Sequence, residues 1–171
     1  MAGDLLEQYR DSILPARGRG RADRWYFGQV LDFIWRATGL WAVLFAAAFL
    51  ARTALDWRVP PADFYPRSLV TTSLALGLLW CAGFTAAWRA ESVRAGAFAG
   101  IASTAIAALI SLVGALVLLA LWHDPSTMAA IKGSGGLGEV FVLPWMAILS
   151  GAIIGAVGGV VGAAASRLRP G

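Results

Sequence analysis

The sequence predicts an all-α, polytopic integral membrane protein with four transmembrane helices preceded by a short amphipathic helical prefix. Of the 171 residues, 58% are hydrophobic and only 14% are charged, whereas soluble domains are about half apolar and about a quarter charged. Long stretches of the sequence also contain no charged residue. Residues 95–122 contain no Asp, Glu, Lys, Arg or His, and about 20 apolar residues suffice for a helix to cross a bilayer. Three further stretches repeat this pattern.

The chain divides into a cytoplasmic prefix, residues 1–34, and a four-helix transmembrane bundle, residues 35–169. We place the four spans at residues 36–55, 68–88, 95–122 and 140–166. Because the apolar residues lie in long blocks, they do not fit the alternating strands of a β-barrel. The first block begins only after residue 34 and lacks a small-residue cleavage site, so we expect no cleavable signal peptide.

The prefix has an amphipathic pattern of its own. Its first apolar residues fall at helical spacing and predict a short helix that ends at Pro15: Leu5, Leu6, Tyr9 and Ile13. Residues 16–21 are rich in Gly and Arg and are expected to form a loop. A second amphipathic segment starts at Asp23, and its aromatic residues beside Arg suit the lipid headgroup zone. It forms either a separate interfacial helix or an extension of the first span. The candidate partner-contact residues are Tyr9, Trp25 and Tyr26.

The charges and prolines at the ends of the spans predict how the helices are joined. Arg36 lies one turn inside the first span, so its long side chain can reach water, and Asp32 at i−4 can pair with it. Residues 56–67 contain three prolines and cannot form a continuous helix, and their aromatic residues suit an interface: Trp57, Phe64 and Tyr65. Asp124 and Pro125 are expected to end the third span.

Small residues in the third and fourth spans predict close helix packing. Gly96 and Gly100 form a small-xxx-small pair, and three glycines of the fourth span repeat at the same interval: Gly151, Gly155 and Gly159. We favour packing inside the bundle, with contact to another protein as the alternative.

The distribution of basic residues predicts the orientation of the chain. Four spans place both termini on one side, and that side would hold ten of the 14 Lys and Arg residues: Arg10, Arg17, Arg19, Arg21, Arg24, Arg36, Arg89, Arg94, Arg167 and Arg169. The other side would hold Arg52, Arg58, Arg67 and Lys132. Since Lys and Arg concentrate in cytoplasmic loops, both termini are predicted to be cytoplasmic.

Two patterns look like chemical motifs but lack the context that those motifs need. Residues 133–140 read GSGGLGEV and fit G-x-G-x-x-G-x-V, as in a kinase glycine loop or a dinucleotide fingerprint. No strand precedes them and a transmembrane helix follows, so we expect a flexible connection. His123 stands beside Asp124, but a metal site needs three or four ligands. We therefore predict no catalytic, cofactor-binding or metal-binding residues.

Part of the prefix resembles a known family. Residues 3–10 (GDLLEQYR), 18–26 (GRGRADRWY) and 29–30 (QV) resemble the cytoplasmic prefix of bacterial export-type ABC permeases of the macrolide-exporter class. The four-span remainder is similar to small bacterial four-span membrane proteins. The resemblance implies a bacterial inner membrane and a shared docking element. Those permeases carry a large periplasmic domain between the first two spans, where this chain has only residues 56–67, so their activity is not carried over.

Two functions follow as hypotheses. The first is a non-enzymatic bacterial inner-membrane protein, accessory or regulatory to a membrane complex, with the prefix as its contact element. The alternative is a small transporter or channel, acting alone or as a homo-oligomer, with span hydroxyls along its pathway. No acidic residue lies at mid-membrane, which argues against proton- or cation-coupled transport. The expected partners are the lipid bilayer and a membrane protein or a second copy. Nucleic acid is excluded because the Arg residues flank apolar runs.

Overall fold

The computed structural model describes residues 7–168, without the side chains of Arg17 and Phe33. Apart from short connections these residues are helical, and they contain no strand, which confirms the predicted all-α class. Leu5 and Leu6, part of the first predicted helix, and Arg169, at the end of the predicted bundle, lie outside the described residues.

The chain forms a π-helical segment, Tyr9–Ile13, followed by six α-helices. These are α1 (Leu14–Arg17), α2 (Arg19–Arg58), α3 (Tyr65–Ala90), α4 (Val93–Leu121), α5 (Pro125–Gly133) and α6 (Gly136–Ser166). Four segments are long and apolar enough to cross a membrane: Ile34–Arg58, Tyr65–Ala90, Val93–Leu121 and Gly136–Ser166. Their ends lie within a few residues of the predicted spans.

The chain separates into two compact units, residues 1–37 and residues 38–171. In the first unit the predicted loop over residues 16–21 is wrong in extent, because only Gly18 separates α1 from α2. Gly18 has φ 70° and ψ 159°, a conformation that is essentially restricted to glycine. Helix α2 then runs unbroken from Arg19 to Arg58, so the second amphipathic segment continues into the first span.

Three of the four spans pack so closely that their backbones touch. A Cβ atom built on Gly83 of α3 would lie 2.1 Å from the carbonyl oxygen of Gly155 on α6. One built on Gly96 of α4 would lie 2.7 Å from the same oxygen, and one on Gly100 would lie 2.0 Å from the carbonyl oxygen of Gly151. Such distances leave no room for a side chain, so close packing at these positions depends on glycine.

Three more glycines of α6 extend this contact. Gly159 lies against the backbone of α4, while Gly158 and Gly162 lie against the carbonyl oxygens of Trp80 and Phe84 on α3. The glycines of α4 and α6 singled out from sequence therefore all lie between helices of this chain.

The first span is attached differently, through large side chains. Phe45 packs in one buried cluster with Ala42 and Ala46 of α2, Leu79 of α3 and Ala107 of α4. Phe49 and Trp57 pack in a second cluster that includes Ile131 of α5 and Val140 of α6. Trp57 is only 2% exposed, so its ring is buried among protein side chains.

The connection between the third and fourth spans is more ordered than predicted. It contains helix α5, whose N-cap is Asp124: the carboxylate accepts hydrogen bonds from the backbone N–H of Thr127 at 3.0 Å and from its hydroxyl at 2.8 Å. Pro125 occupies the first turn, where it needs no hydrogen-bond acceptor. The flexible connection predicted over residues 133–140 is wrong from Gly136 onward, because that part already belongs to α6.

Candidate functional site

The prefix folds back on itself at Gly18, and two of the three candidate contact residues hold that fold together. The Tyr9 hydroxyl donates a hydrogen bond to Asp23, and the Tyr9 and Tyr26 rings lie 5.4 Å apart between centroids. The hydrogen bond to Asp23 raises the pKa of Tyr9 above its usual value. Tyr9, Trp25 and Tyr26 are all partly buried.

An exposed apolar face at the end of the prefix and the start of the first span is formed by other residues. Phe27, Leu31 and Trp35 recur every four residues along α2 and therefore share one helix face; they are 65%, 64% and 52% exposed. We call these three residues the apolar stripe. Arg24 lies on the same face and is exposed. The sequence pattern alone does not show which aromatic rings of this segment pack against the prefix and which face outward.

The second feature is a group of four charged side chains in the bundle unit, which we call the Arg52 network. The Arg52 guanidinium contacts Asp56 through Nε at 3.1 Å and Glu139 through Nη2 at 2.8 Å. Arg67 contacts the other oxygen of Asp56 at 3.1 Å and the carbonyl oxygen of Val59 at 2.9 Å. The Arg52 and Asp56 side chains are only 11% and 5% exposed.

The Arg52 network borders a cavity of about 280 Å³. Its walls come from the end of α2, the start of α3 and the connection from α5 to α6, and they are formed by Arg52, Phe64, Tyr65, Ser68, Gly133, Ser134 and Glu139. A smaller, water-sized space lies next to it, lined in part by Thr53 and Asp56. The cavity therefore combines a guanidinium, a carboxylate, hydroxyls and aromatic rings.

A second ion pair lies nearby without bordering that cavity. Arg58 is 3.9 Å from Asp124 and its guanidinium lies 5.2 Å from the centre of the Trp122 ring. Hydrogen bonds from Ser126 and Thr127 lower the pKa of Asp124 well below its usual range. This pair joins the end of α2 to the cap of α5.

Hydroxyls inside the spans are mostly used by the backbone. Thr71, Thr85 and Thr104 each donate to the carbonyl oxygen four residues earlier, at 2.7–2.9 Å, a common arrangement in membrane helices. Ser103 and Ser111 are fully buried on α4, and their hydroxyls have no hydrogen-bond partner among the described residues.

Neither motif-like pattern has the geometry of the site that it resembles, although Gly133, Ser134 and Glu139 of the second pattern line the cavity. His123 is exposed and its Nδ1 lies 3.2 Å from the carbonyl oxygen of Ala120. Residues 133–140 cross from the end of α5 into α6. Within the described part of the chain, no three His, Cys, Asp or Glu residues converge as a metal site would require.

Fold and spans together define the class: an all-α protein whose described residues include four helices suited to crossing a membrane, as in a multi-pass membrane protein. No protein-family model matches the chain, and neither a curated protein nor a solved structure matches it. Its function is therefore argued from its own residues.

Proposed function

We propose that this protein is a non-enzymatic accessory or regulatory component of a membrane complex in the bacterial inner membrane. In this proposal both termini are cytoplasmic and the prefix is the contact element. One observation carries it: the apolar stripe is exposed on a prefix that is already folded around Tyr9 and Tyr26. A folded element with an unburied apolar face is typical of a surface that binds another helix.

The partner that this surface fits is a helix of another membrane protein with an apolar face flanked by acidic residues. Arg19, Arg21 and Arg24 are exposed beside the apolar stripe and would complement such charges. The resemblance of the prefix to that of exporter permeases favours a transport complex as the setting. Burying Phe27 and Leu31 would contribute about 1.5–3 kcal/mol each.

The experiment is site-specific photocrosslinking in native membranes. A photoreactive residue at position 31 should give one discrete adduct with a membrane protein, mapped to a helix of the stated character. The matched control is position 29, where Gln29 is exposed on the opposite side of the same helix. The double variant Phe27→Ser, Leu31→Ser should weaken the isolated complex at least about tenfold. Adducts with lipid alone, or with a second copy alone, would contradict the accessory function.

A transporter or channel is the second candidate, and the cavity beside the Arg52 network is the observation that favours it. Solute or ion flux into liposomes containing the purified protein tests this function. Flux above that of empty vesicles, lost in a variant of Glu139, would support it. Flux no greater than that of empty vesicles would count against it.

A further inference from the structure

The cavity beside the Arg52 network offers hydrogen-bonding capacity that the protein itself does not use. Arg52 donates through Nε and Nη2, and Glu139 accepts through Oε1. Among the described residues, Nη1 of Arg52 and Oε2 of Glu139 have no hydrogen-bond partner in the protein. A guanidinium carries five N–H donors and a carboxylate two acceptor oxygens, so both groups can still bind a ligand.

The charges of the network balance, which limits the ligands that the cavity favours. Arg52 and Arg67 face Asp56 and Glu139, two cations against two anions. A simple anion or cation would add an uncompensated charge to a partly buried site, which is costly. A zwitterion adds a group of each sign and no net charge. It can therefore contact Arg52 and Glu139 together without that cost.

The walls of the cavity suit the same chemistry. Phe64 and Tyr65 supply aromatic rings, whose faces attract ammonium groups. Ser68 and Tyr65 supply hydroxyls within the same walls. Small-molecule sites measure roughly 300–1,000 Å³, and a cavity of about 280 Å³ is at the lower end of that range. The size fits a ligand with a few heavy atoms, not a nucleotide.

The neighbouring pair shows what a purely structural contact looks like in this fold. Arg58 and Asp124 join two elements at a looser 3.9 Å, and their side chains are 54% and 44% exposed. They do not line the cavity. The Arg52 network also joins elements, since it links α2 to α6, but in addition it presents a partly buried pair of opposite charges to an open volume.

We propose that this cavity binds a small zwitterion with a primary ammonium group and an anionic oxygen group a few bonds apart. The anionic group contacts Arg52, and the ammonium contacts Glu139 and the aromatic rings. Two sources carry this chemistry: a free amino acid and the phosphoethanolamine headgroup of a lipid. The lipid source is considered because the walls come from the ends of three apolar helices, where headgroups lie. The proposal does not depend on the apolar stripe of the prefix.

Binding is measured on the full chain, purified in detergent without added lipid, by isothermal titration calorimetry. The probes are glycine and glycerophosphoethanolamine as zwitterions, ethanolamine as an ammonium alone, and acetate and phosphate as anions alone. Saturable binding of a zwitterion, with binding of the single-charge probes at least about tenfold weaker, is the expected result. No saturable binding of either zwitterion, or equally tight binding of acetate or phosphate, would overturn the proposal.

Two variants and one control locate the site. Glu139→Gln keeps the side chain nearly the same size but removes its charge, and should weaken zwitterion binding at least about tenfold. Tyr65→Leu, at a position that is 67% exposed, tests the same wall if Glu139→Gln does not fold. Arg58→Gln is the matched control and should bind like the wild type. Unchanged affinity in both cavity variants would place the ligand elsewhere and overturn the proposal.

The source of the ligand is then decided in nanodiscs. In discs of phosphatidylglycerol, added glycerophosphoethanolamine should bind as it does in detergent. If the wild-type protein binds the added probe in discs without phosphatidylethanolamine but not in discs that contain it, the lipid headgroup already occupies the site and is the natural ligand. If both kinds of disc give the same affinity, the ligand is a free solute. Loss of binding in both kinds of disc would show that the site closes in a bilayer and would refute the proposal.

Discussion

Replacement of Gly100 by alanine tests the packing of α4 against α6. The added Cβ atom would lie 2.0 Å from the carbonyl oxygen of Gly151 and 3.1 Å from the Cα atom of Gly155. Ordinary Cβ contacts are 3.4–4 Å, so the two helices must separate locally by more than about 1 Å. The obstructing atoms belong to the backbone and cannot turn aside as a flexible side chain could.

The expected cost follows from two opposing terms. Overpacking a well-packed interior costs about 1–3 kcal/mol, and the loss of close contact matters in a membrane because packing drives helix association there. Alanine gains about 0.5–1 kcal/mol over glycine in a helix. We therefore expect Gly100→Ala to lower the free energy of unfolding by about 1–2 kcal/mol, measured by unfolding in mixed detergent–SDS micelles and followed by tryptophan fluorescence.

Two further alanine variants control this measurement. Gly77 on α3 has nothing within 4 Å of an added Cβ atom, so Gly77→Ala should show no loss of stability. A Cβ atom added at Gly114 on α4 has the Leu50 side chain as its nearest neighbour, at 2.5 Å. That side chain can change rotamer, so the stability loss of Gly114→Ala should lie between those of the other two variants. If Gly100→Ala unfolds at the same SDS fraction as Gly77→Ala, the backbone contact does not stabilise the bundle and the reasoning is refuted.

Three further predictions concern the charged and strained positions. Arg52→Gln leaves a buried carboxylate with one partner fewer and should destabilise the bundle by about 3 kcal/mol in the same unfolding assay, whereas Arg58→Gln should cost less than about 1 kcal/mol; equal losses would contradict this difference. Gly18→Ala should cost about 1–3 kcal/mol in the prefix, seen as faster amide hydrogen exchange there, and unchanged exchange would count against the strained turn. The hydrogen bond to Asp23 raises the pKa of Tyr9. The neutral phenol therefore stabilises the folded prefix, fully at pH below about 10. This stabilisation is lost as the pH rises through the raised pKa. Hydrogen exchange in Tyr9→Phe should lack that pH dependence, and an identical profile would exclude the assigned contact.

The spans could be predicted from sequence because their signal is one-dimensional. A block without charges, long enough to cross a bilayer, needs no knowledge of neighbours. The end of the third span illustrates the limit. Asp124, Pro125 and Thr127 form a helix-start pattern, but Asp124 and Pro125 were interpreted only as the end of the third span, so α5 was not predicted. An Asp-Pro pair can end one helix and begin the next, and the local sequence does not separate the two.

The Arg52 network could be predicted only in part. Arg52 and Asp56 lie at i, i+4 on a helix, a spacing that favours an ion pair. Glu139 is 87 residues away in the chain, and no periodicity links it to Arg52, because their contact arises only when α6 packs beside α2. The same reason applies to the prefix: helical spacing placed Tyr9 and Tyr26 in an apolar pattern, but only the fold shows that they face each other and that the apolar stripe faces outward.

The four spans are held in the bundle in two different ways. Helices α3, α4 and α6 meet through glycine backbones, so any displacement among them loses many short contacts at once. Helix α2 is held instead by large side chains such as Phe45 and Phe49 and by the Arg52–Glu139 pair. Side chains can change rotamer and ion pairs can exchange partners, whereas backbone contacts cannot. Among the four spans, α2 is therefore the one whose position depends most on side-chain contacts.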